Sequence, residues 1–395
     1  MSAYDFTSYY DRKRTKASKW VQMLARKPDV KEGVVPMTVA DMDFMTAPEI
    51  VAALEKYPAM ELLGYSRPTN DYLGAVVDFY QKEHGYQAQK EWIFTTPGVV
   101  PALASAVRTL TKPGEGVILL TPIYGPFFDV TEGQGRKAAI CPMQVVNNRL
   151  EIDFACFEQL CREANNKLFL LCSPHNPSGR VWTREELTRL ADICEKYQVH
   201  VASDEIHSDI VMDGHAHTVF NTVSEYAGKA ILCTSAGKTF NIQALQCANV
   251  FIKDKELRDA YERDNLYAGI ERANVMGMVG TAAAYRDALP WRDAVTRVIA
   301  ENHQTVLDFF APYAPRIQAM APDASFLVWV DFSGMGVAHE EFFQFMTDCD
   351  FFVSDGNFFG PGGEKHFRLN VGLPAAKLKE NLARLKQGLK ERYGM

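Results

Sequence analysis

Residues 168–207 read LFLLCSPHNPSGRVWTREELTRLADICEKYQVHVASDEIH, and this stretch decides the fold. Two short apolar runs, at 168–172 and 199–203, enclose a longer segment of helical character. Residues 183–186 (TREE) match a capping box, which predicts a helix from there to about Tyr197. The stretch is therefore predicted to form a strand, a helix and a second strand.

The same alternation continues on both sides of this unit. Residues 99–110 (VVPALASAVRTL) place apolar side chains at a helical period, and 116–120 (GVILL) and 230–234 (AILCT) are further short apolar runs. Continuous apolar strands separated by helices indicate a mostly parallel sheet that is covered on both faces. We predict an α/β protein whose large domain has three layers, α/β/α, around a mostly parallel mixed sheet.

The character of the chain changes after about Asn274, where prolines become frequent. A strand-like run at 326–332, a Gly/Pro-rich stretch, a second run at 368–371 and a final helix at 375–393 predict a smaller α+β domain at the C-terminus. The predicted units are residues 1–45, an N-terminal segment that packs with the small domain, residues 46–285, the large domain, and residues 286–395, the small domain.

The composition of the chain excludes several classes of function. The chain has 395 residues, 47% of them hydrophobic, and a net charge of −7, so it has no basic field for a nucleic acid or an acidic membrane surface. We find no secretory signal at the start and no apolar stretch of the roughly 20 residues that a membrane span needs. The 8 cysteines are scattered without a C-x-x-C pair, which favours reduced thiols in a cytoplasmic protein and no metal site.

Candidate functional side chains follow four of the predicted strands directly. Ligands of an open parallel sheet bind beyond the carboxyl ends of its strands, so these side chains are expected at one rim. In chain order they are Tyr124, Asn176, Asp204 and, after the fourth strand, Ser235 and Lys238.

Each of these residues has a functional and an ordinary interpretation. Lys238 lies between apolar segments, where burial would lower its pKa and favour imine formation, although most lysines are solvated surface residues. Asp204 suits a carboxylate that keeps a heterocyclic nitrogen protonated, or else a helix cap or ion-pair partner. Tyr124 suits a plate for a flat cofactor or a core aromatic, and Asn176 a ligand or a turn residue.

The segment 97–100 (PGVV) opens the first clear helix. Free backbone N–H groups at a helix start bind phosphate, and the hydroxyl of Ser235 would add a donor for the same anion. An ordinary helix entry explains the segment equally well.

Taken together, Lys238, Asp204 thirty-four positions earlier and the Asn176-Pro-Ser-Gly turn resemble the fold-type I pyridoxal 5'-phosphate (PLP) enzymes of the aspartate aminotransferase superfamily. Arg368, in HFRLNVG at 366–372, matches the arginine that such enzymes place in the small domain. Three further motifs are similar to the MalY/PatB branch, the cystathionine β-lyase-like C–S lyases. They are ADMDF at 40–44, SDEIH at 203–207 and KTFNI at 238–242.

The resemblance, which runs from about residue 4 to 392, implies roles for the residues that match. Lys238 would hold PLP covalently and move protons, and Asp204 would pair with the ring nitrogen. Arg368 would bind the substrate carboxylate, with Asn176 and Tyr124 also near the substrate. The remaining cofactor contacts would be Asn176 and His207 at the ring hydroxylate edge, Tyr124 on the ring face, and Gly98, Val99, Val100 and Ser235 at the phosphate.

Two positions need separate comment. Tyr65, in LGYS at 63–66, would reach the phosphate in the neighbouring subunit and take part in catalysis there, which implies a homodimer with its active sites at the subunit interface. Gln246, eight residues after Lys238, departs from the pattern, because many aminotransferases carry a phosphate-binding arginine there. Backbone amides would then carry more of the phosphate.

The resemblance implies a PLP-dependent C–S β-lyase that cleaves cystathionine- or cysteine-type thioethers to a thiol, pyruvate and ammonia. Two alternatives stay open. One is an aminotransferase of the same fold, which would use the same residues. The other is a PLP-binding regulatory protein that acts through protein–protein contact.

Two weaker motifs are interpreted as structural. Residues 133–138 (GQGRKA) match a dinucleotide-binding pattern, but a helix precedes them and a β run at about 137–146 follows, which is the reverse of the required order. We interpret them as a helix end and turn. His215 and His217 suit a metal pair, yet they stand in a polar loop without a third ligand, so a loop is predicted.

Overall fold

The computed structural model describes residues 4–270 and 272–395. Its helices are α1 (Ser18–Arg26), α2 (Pro48–Met60), α3 (Asn70–His84), α4 (Val99–Leu110), α5 (Pro126–Glu132), α6 (Phe154–Arg162), α7 (Arg184–Tyr197), α8 (Ala236–Phe240), α9 (Lys255–Tyr267), α10 (Val275–Asp287), α11 (Leu289–Phe310), α12 (His339–Asp348) and α13 (Ala375–Tyr393). Its strands are β1 (Ile93–Thr96), β2 (Gly116–Thr121), β3 (Lys137–Pro142), β4 (Gln144–Val146), β5 (Arg149–Glu151), β6 (Asn166–Cys172), β7 (His200–Asp204), β8 (Ile231–Thr234), β9 (Ala248–Phe251), β10 (Gln318–Ala319), β11 (Leu327–Asp331), β12 (Ser354–Asp355) and β13 (His366–Asn370).

The central sheet confirms the predicted fold class. Its strand order is β1-β9-β8-β7-β6-β2-β3. Strands β3, β2, β6, β7 and β8 run parallel, whereas β9 is antiparallel to both β8 and β1. The sheet is therefore mixed but mostly parallel.

Apolar side chains alternate between the two faces of this sheet. In β2, Val117 and Leu119 join the core beneath α4, whereas Ile118 joins the core beneath α7. Leu103 of α4 and Leu187 of α7 belong to these two cores. The strands are buried on both faces because helices cover both, which is the predicted three-layer arrangement.

The two helices that were predicted from local sequence patterns, α7 and α4, are confirmed. The side chain of Thr183 accepts a hydrogen bond from the backbone N–H of Glu186, and the side chain of Glu186 accepts one from the N–H of Thr183. The helix runs to Tyr197 and ends at Gln198 in the left-handed conformation. Helix α4 has the predicted bounds, 99–110.

The β structure predicted at about 137–146 is confirmed, but it is divided between two sheets. The central sheet keeps β3, which ends at Pro142, whereas residues 144–146 form β4 and pair with β5 in a separate hairpin. Proline has no N–H for the sheet, so the strand ends there.

The strand order reverses between β2 and β6. After β2 the chain adds β3 on one side, and then returns to place β6, β7 and β8 in turn on the other side. Two successive loops leave the carboxyl ends of β2 and β6 in opposite directions and open a crevice there. This crevice is where the predicted side chains converge.

The C-terminal part forms a second sheet in the order β10-β11-β13-β12, with antiparallel neighbours. The N-terminal segment lies against it, since the N–H of Met37 donates to the carbonyl of Phe352 at 2.8 Å and the side chain of Asn381 donates to that of Val35 at 2.9 Å. The three domain boundaries themselves stay predictions. Across residues 4–270 and 272–395, every helix is too short or too polar to cross a membrane.

Candidate active site

A cavity of about 710 Å³ lies at the carboxyl ends of β2, β6, β7 and β8. It brings together all but one of the residues that the sequence singled out. Those lining it are Gly98, Val99, Val100, Tyr124, Asn176, Asp204, His207, Ser235, Lys238 and Arg368. Tyr65 does not line the cavity of its own chain and is fully exposed, so its predicted role in a neighbouring subunit stays a prediction.

Lys238 is presented by a single short helical turn, α8. The side chain of Ser235 caps this turn by accepting from the N–H of Gly237 at 3.0 Å, and it donates to the carbonyl of Cys247 at 2.6 Å. The Nζ atom of Lys238 donates to the carbonyl of Ala40 at 2.6 Å. Burial, together with the charge of Arg368, lowers the pKa of Lys238 to about 8. About a tenth of the amine is thus neutral at pH 7.

Asp204 ends β7 and is buried. Its Oδ1 accepts the backbone N–H of Ile206 at 3.1 Å, while its Oδ2 has no hydrogen-bond partner among the described residues. Burial raises the pKa of Asp204 to about 7. The site therefore holds a carboxyl group that would gain from a cationic N–H partner in the cavity.

Arg368 and Asn176 meet across the cavity, one from each sheet. The Nη1 atom of Arg368 donates to Asn176 Oδ1 at 2.9 Å, and its Nη2 donates to Ser354 Oγ at 3.3 Å. Its guanidinium lies over the ring of Phe359, 4.9 Å from the centroid. The buried Nε has no partner among the described residues, and burial lowers the pKa of Arg368 to about 10. The group remains a cation with an unused donor.

His207 and Tyr124 complete the wall. The Nδ1 atom of His207 lies 2.9 Å from Ser325 Oγ. Burial, with the nearby charges of Lys238 and Arg368, lowers the pKa of His207 to about 3, so the ring is neutral. Tyr124 is half-buried, which raises the pKa of its phenol, and its ring meets Phe358 edge-on at 6.0 Å.

At the start of α4, the cavity can bind an anion through backbone N–H groups, without a lysine or arginine reserved for that anion. Helix α4 begins there at Val99, where the first-turn N–H groups have no intrahelical acceptor. Gln246 also lines the cavity, at the position where the sequence lacks an arginine. Lys238, Arg368 and Arg26 are the cationic lysine and arginine side chains among the described lining residues.

Several residues of the site escaped sequence reasoning. Ser325 and Ser354, which contact His207 and Arg368, are isolated serines far from these partners in sequence. The carbonyl of Ala40 belongs to the ADMDF motif, which sequence analysis used as a family marker without giving it a role. The sequence signal that could have indicated a structural role for this motif is the presence of two acidic residues in an otherwise apolar pentapeptide.

Behind Ala40 lies a second cluster of buried charge. The Nζ atom of Lys19 lies 2.9 Å from a carboxylate oxygen of Asp41 and 2.7 Å from one of Asp43. Arg12 bridges the same two carboxylates at 3.0 Å each. Because every charge has an opposite neighbour, this cluster anchors the strap of residues 40–44 over the cavity.

The two motifs that the sequence analysis set aside are structural. Helix α5 ends at Glu132 with Gly133 as its C-cap, and Gly135 has a φ of 75° in the following turn. His217 is buried 2.7 Å from Glu205, and His215 lies 3.5 Å from Asp323. No group of three or more metal-ligating side chains occurs within the described ranges.

Comparison with known proteins places this chain in a family. Residues 32–385 match the aminotransferase class I and II family, so the chain belongs to it. It is similar to cystathionine beta-lyase PatB of Bacillus subtilis, with 37% identity over 90% of this chain and 92% of that protein. It is also similar to protein MalY of Escherichia coli, with 31% identity over 97% of this chain and 98% of that protein.

Among solved structures, the chain resembles cystalysin of Treponema denticola, described as containing a pyridoxal 5'-phosphate cofactor. The TM-score is 0.96 at 37% identity, covering 98% of this chain and 99% of that one. The similarity covers essentially the whole of both chains. The overall architecture is therefore that of fold-type I PLP-dependent enzymes.

The residues present fit PLP. Lys238 offers the amine, the unpartnered Oδ2 of Asp204 offers a place for a protonated ring nitrogen, and the first turn of α4 offers N–H donors for a phosphate. Tyr124 lines the same space with an aromatic face. The cavity therefore contains complementary groups for each end of this cofactor.

Proposed function

We propose that this protein is a PLP-dependent C–S β-lyase that cleaves cystathionine- or cysteine-type thioethers to a thiol, pyruvate and ammonia. The observation that carries the proposal is the meeting of Lys238, Asp204 and Arg368 in one cavity, in a chain similar to a cystathionine beta-lyase over nearly its whole length. When bound, PLP supplies the electron sink for the charge that develops when a proton leaves the α-carbon of the substrate.

Lys238 is the proposed base. Its pKa of about 8 leaves part of the amine neutral near neutral pH, so it can take the proton from the α-carbon. The Ala40 carbonyl accepts a hydrogen bond from this amine and orients it. Asp204 keeps the cofactor ring nitrogen protonated. It can do so because its buried carboxylate has an oxygen without a partner in the described part of the chain, which can accept the N–H of the ring.

Arg368 is proposed to bind the substrate carboxylate. Its guanidinium is held in place by Asn176 and Ser354, and a planar fork of donors matches a carboxylate with two parallel hydrogen bonds. Burial strengthens this contact because water competes poorly there. His207 stays neutral and supports the ring hydroxyl edge together with Asn176.

The phosphate is proposed to lie against the first turn of α4, with Gly98, Val99, Val100 and Ser235. Gln246 occupies the position where an arginine would supply a further cation. Backbone N–H groups and hydroxyls therefore bind the anion in place of that cation.

We also propose a homodimer in which Tyr65 completes the phosphate site of the partner subunit. Tyr65 is exposed together with Met60, Leu62 and Leu63. Such a cluster of apolar side chains is typical of an interface between subunits. Mixing two inactive proteins, Tyr65→Phe and Lys238→Ala, and letting subunits exchange should restore about a quarter of the wild-type activity, because each heterodimer has one intact site. No recovery after confirmed exchange would contradict the shared site.

A cytoplasmic location remains part of the proposal. All eight cysteines are free, six of them buried, which fits a reducing compartment. Fractionation of the source cells, followed with an antibody, tests this directly.

The reaction is tested by supplying L-cystathionine to the purified holoenzyme without any 2-oxo acid. A lyase releases pyruvate and homocysteine continuously, as followed with lactate dehydrogenase and a thiol reagent. An aminotransferase instead stops after about one turnover per site, because it needs a 2-oxo acid to regenerate the cofactor. Absence of sustained pyruvate release, with turnover restored by a 2-oxo acid, would overturn the proposed lyase activity.

A third outcome bears on the regulatory alternative. A protein that binds PLP but turns over neither class of substrate would be a binding protein rather than an enzyme. The presence of base, ring partner and carboxylate-binding arginine in one cavity favours turnover.

A further inference from the structure

The active-site cavity is also lined by a second pair of charged side chains. Beyond Asp204, Lys238 and Arg368, the remaining lysine, arginine and acidic side chains among the described lining residues are Arg26 and Asp355. Neither has a role in the chemistry described above. Because both are more exposed than Asp204 and Arg368, they are candidates to contact the part of the substrate beyond the sulfur.

Arg26 is held in place but keeps free donors. It is the last residue of α1, whose Ser18, Gln22 and Arg26 line the cavity at one-turn spacing. Its Nη1 donates to the carbonyl of Val353 at 3.1 Å, and its guanidinium lies 5.8 Å from the ring centroid of Phe343. The Nη2 and Nε atoms have no partner within the described chain, so they remain available to a carboxylate.

Asp355 is also held by hydrogen bonds at one carboxylate oxygen and, among the described residues, keeps the other oxygen free. Its Oδ1 lies 2.8 Å from His339 Nε2 and accepts the N–H of Asn357 at 2.8 Å. Its Oδ2 has no partner in the part of the chain that the structure describes, and the side chain is 36% exposed. This oxygen is available to an ammonium group.

Three consecutive residues connect the outer pair to the inner site. The carbonyl of Val353 holds Arg26, the hydroxyl of Ser354 holds Arg368, and Asp355 follows. Ser354 also pairs with Arg368 across the sheet. The spacing between the carboxylate-binding arginine and the outer charges is thus set by one short strand, β12.

The cavity also has apolar walls. Tyr124 and Phe358 line it, with their rings edge to face at 6.0 Å. Gly125 permits this packing, because a Cβ there would lie 2.7 Å from the Phe358 carbonyl oxygen and 2.9 Å from its ring. Apolar walls suit the sulfur and methylene groups of a thioether.

We propose that Arg26 and Asp355 form a distal subsite for the amino-acid head group on the far side of the substrate sulfur, an inference that rests on the proposed lyase function. The pair carries one positive and one negative charge, and a head group with a carboxylate and an ammonium complements both. The preferred substrate class is then a thioether with an amino acid at each end, in preference to S-alkyl cysteines.

Four substrates that differ only in the distal charges test this subsite. They are L-cystathionine, S-(3-carboxypropyl)-L-cysteine without the distal ammonium, S-(3-aminopropyl)-L-cysteine without the distal carboxylate, and S-propyl-L-cysteine without either. With wild-type holoenzyme, we expect kcat/KM for L-cystathionine to exceed that for S-propyl-L-cysteine by about tenfold or more, as two charged contacts imply.

Variants assign the two charges separately. The first ratio compares kcat/KM for substrates with and without the distal carboxylate. Arg26→Gln should lower this ratio by about two- to fivefold, the upper part of the range for an exposed charge pair. Asp355→Asn should lower the corresponding ratio for the distal ammonium and leave the carboxylate ratio in place. Arg14→Gln and Asp213→Asn, at exposed positions outside the cavity, are the matched controls.

The outcomes separate this inference from the proposed function. If none of the four compounds yields pyruvate with the wild type, the lyase proposal has failed. If all four yield pyruvate but at equal kcat/KM, or if Arg26→Gln lowers all four equally, the lyase stands and the distal subsite is wrong.

Discussion

Two clusters of buried charge lie on either side of the Ala40 carbonyl, and they are built on opposite rules. In the anchor cluster, Lys19 and Arg12 contact both Asp41 and Asp43 at 3.0 Å or less. In the active-site cluster, Lys238 and Asp204 face a cavity without touching an opposite charge among the described residues.

The pKa values of Asp41 and Asp204 follow this difference, whereas burial raises the pKa of Asp43 despite its contacts with Lys19 and Arg12. Burial raises the pKa of Asp41, but Lys19 and Arg12 overcome it and the net pKa is lowered, so the carboxylate is charged. For Asp204, burial outweighs the opposing influence of the Ile206 N–H and of the Lys238 charge, and the pKa rises to about 7. Buried charges in contact with an opposite charge stabilise the fold. Buried charges without such a contact can exchange protons or bind a ligand.

The largest expected effect comes from removing the charge of Asp204. Asp204→Asn should keep the fold but lower kcat/KM by roughly 10³- to 10⁴-fold, about 4–5.5 kcal/mol of barrier, because the cofactor ring nitrogen would no longer stay protonated. Steady-state pyruvate release gives the rate, and circular dichroism checks the fold. Full activity in this variant would remove Asp204 from the mechanism.

Breaking the anchor cluster should instead cost stability. Lys19→Met leaves two buried carboxylates short of one partner, so we expect the free energy of unfolding to fall by about 3–4 kcal/mol. Lys255→Met, which removes an exposed pair with Asp259, is the control and should cost less than about 0.5 kcal/mol. Urea denaturation of both variants measures this, and equal small losses would show that the anchor cluster does not stabilise the fold.

Arg368 should be sensitive to geometry as well as to charge. Arg368→Lys keeps a cation but loses the bidentate fork, so kcat/KM should fall by about 2 kcal/mol, seen chiefly as a higher KM. An unchanged KM for L-cystathionine would place the substrate carboxylate elsewhere.

The smallest effect concerns the stability of the cofactor-free protein against pH. The pKa of Asp204 rises from 3.8 to about 7 on folding, so its stabilising contribution is complete below pH 3.8 and is lost as the pH rises through about 7. The pKa of Lys238 falls from 10.5 to about 8, so its contribution is present above pH 10.5 and is lost as the pH falls through about 8.

Thermal unfolding of the apoprotein at several pH values checks both contributions. Asp204→Asn should flatten the profile between pH 4 and 7 relative to the wild type, and leave the alkaline limb in place. Parallel profiles for the two proteins would contradict the raised pKa.

The sequence predicted the parts of the molecule that depend on neighbouring residues. Apolar runs and the capping box at Thr183 predicted the sheet and α7, because both depend on local periodicity and hydrogen bonds. Lys238, Asp204 and Asn176 were found because each follows a strand, and parallel strands end at one edge.

Contacts between distant segments were not predictable. His207 and Ser325 are 118 residues apart, and Lys19 and Asp43 are 24 apart in a loop-rich segment without a period. Only folding brings such pairs together. The resemblance to a known family supplied roles for Tyr65 and Arg368 that neither composition nor periodicity contains.

The central claim is that Lys238, and not the fully buried Lys19, carries the cofactor. Borohydride reduction of the holoenzyme, followed by proteolysis and mass spectrometry, tests it directly. We predict a phosphopyridoxyl adduct on the peptide that contains Lys238 and none on the peptide that contains Lys19. An unmodified Lys238, or an adduct at another lysine, would contradict the account.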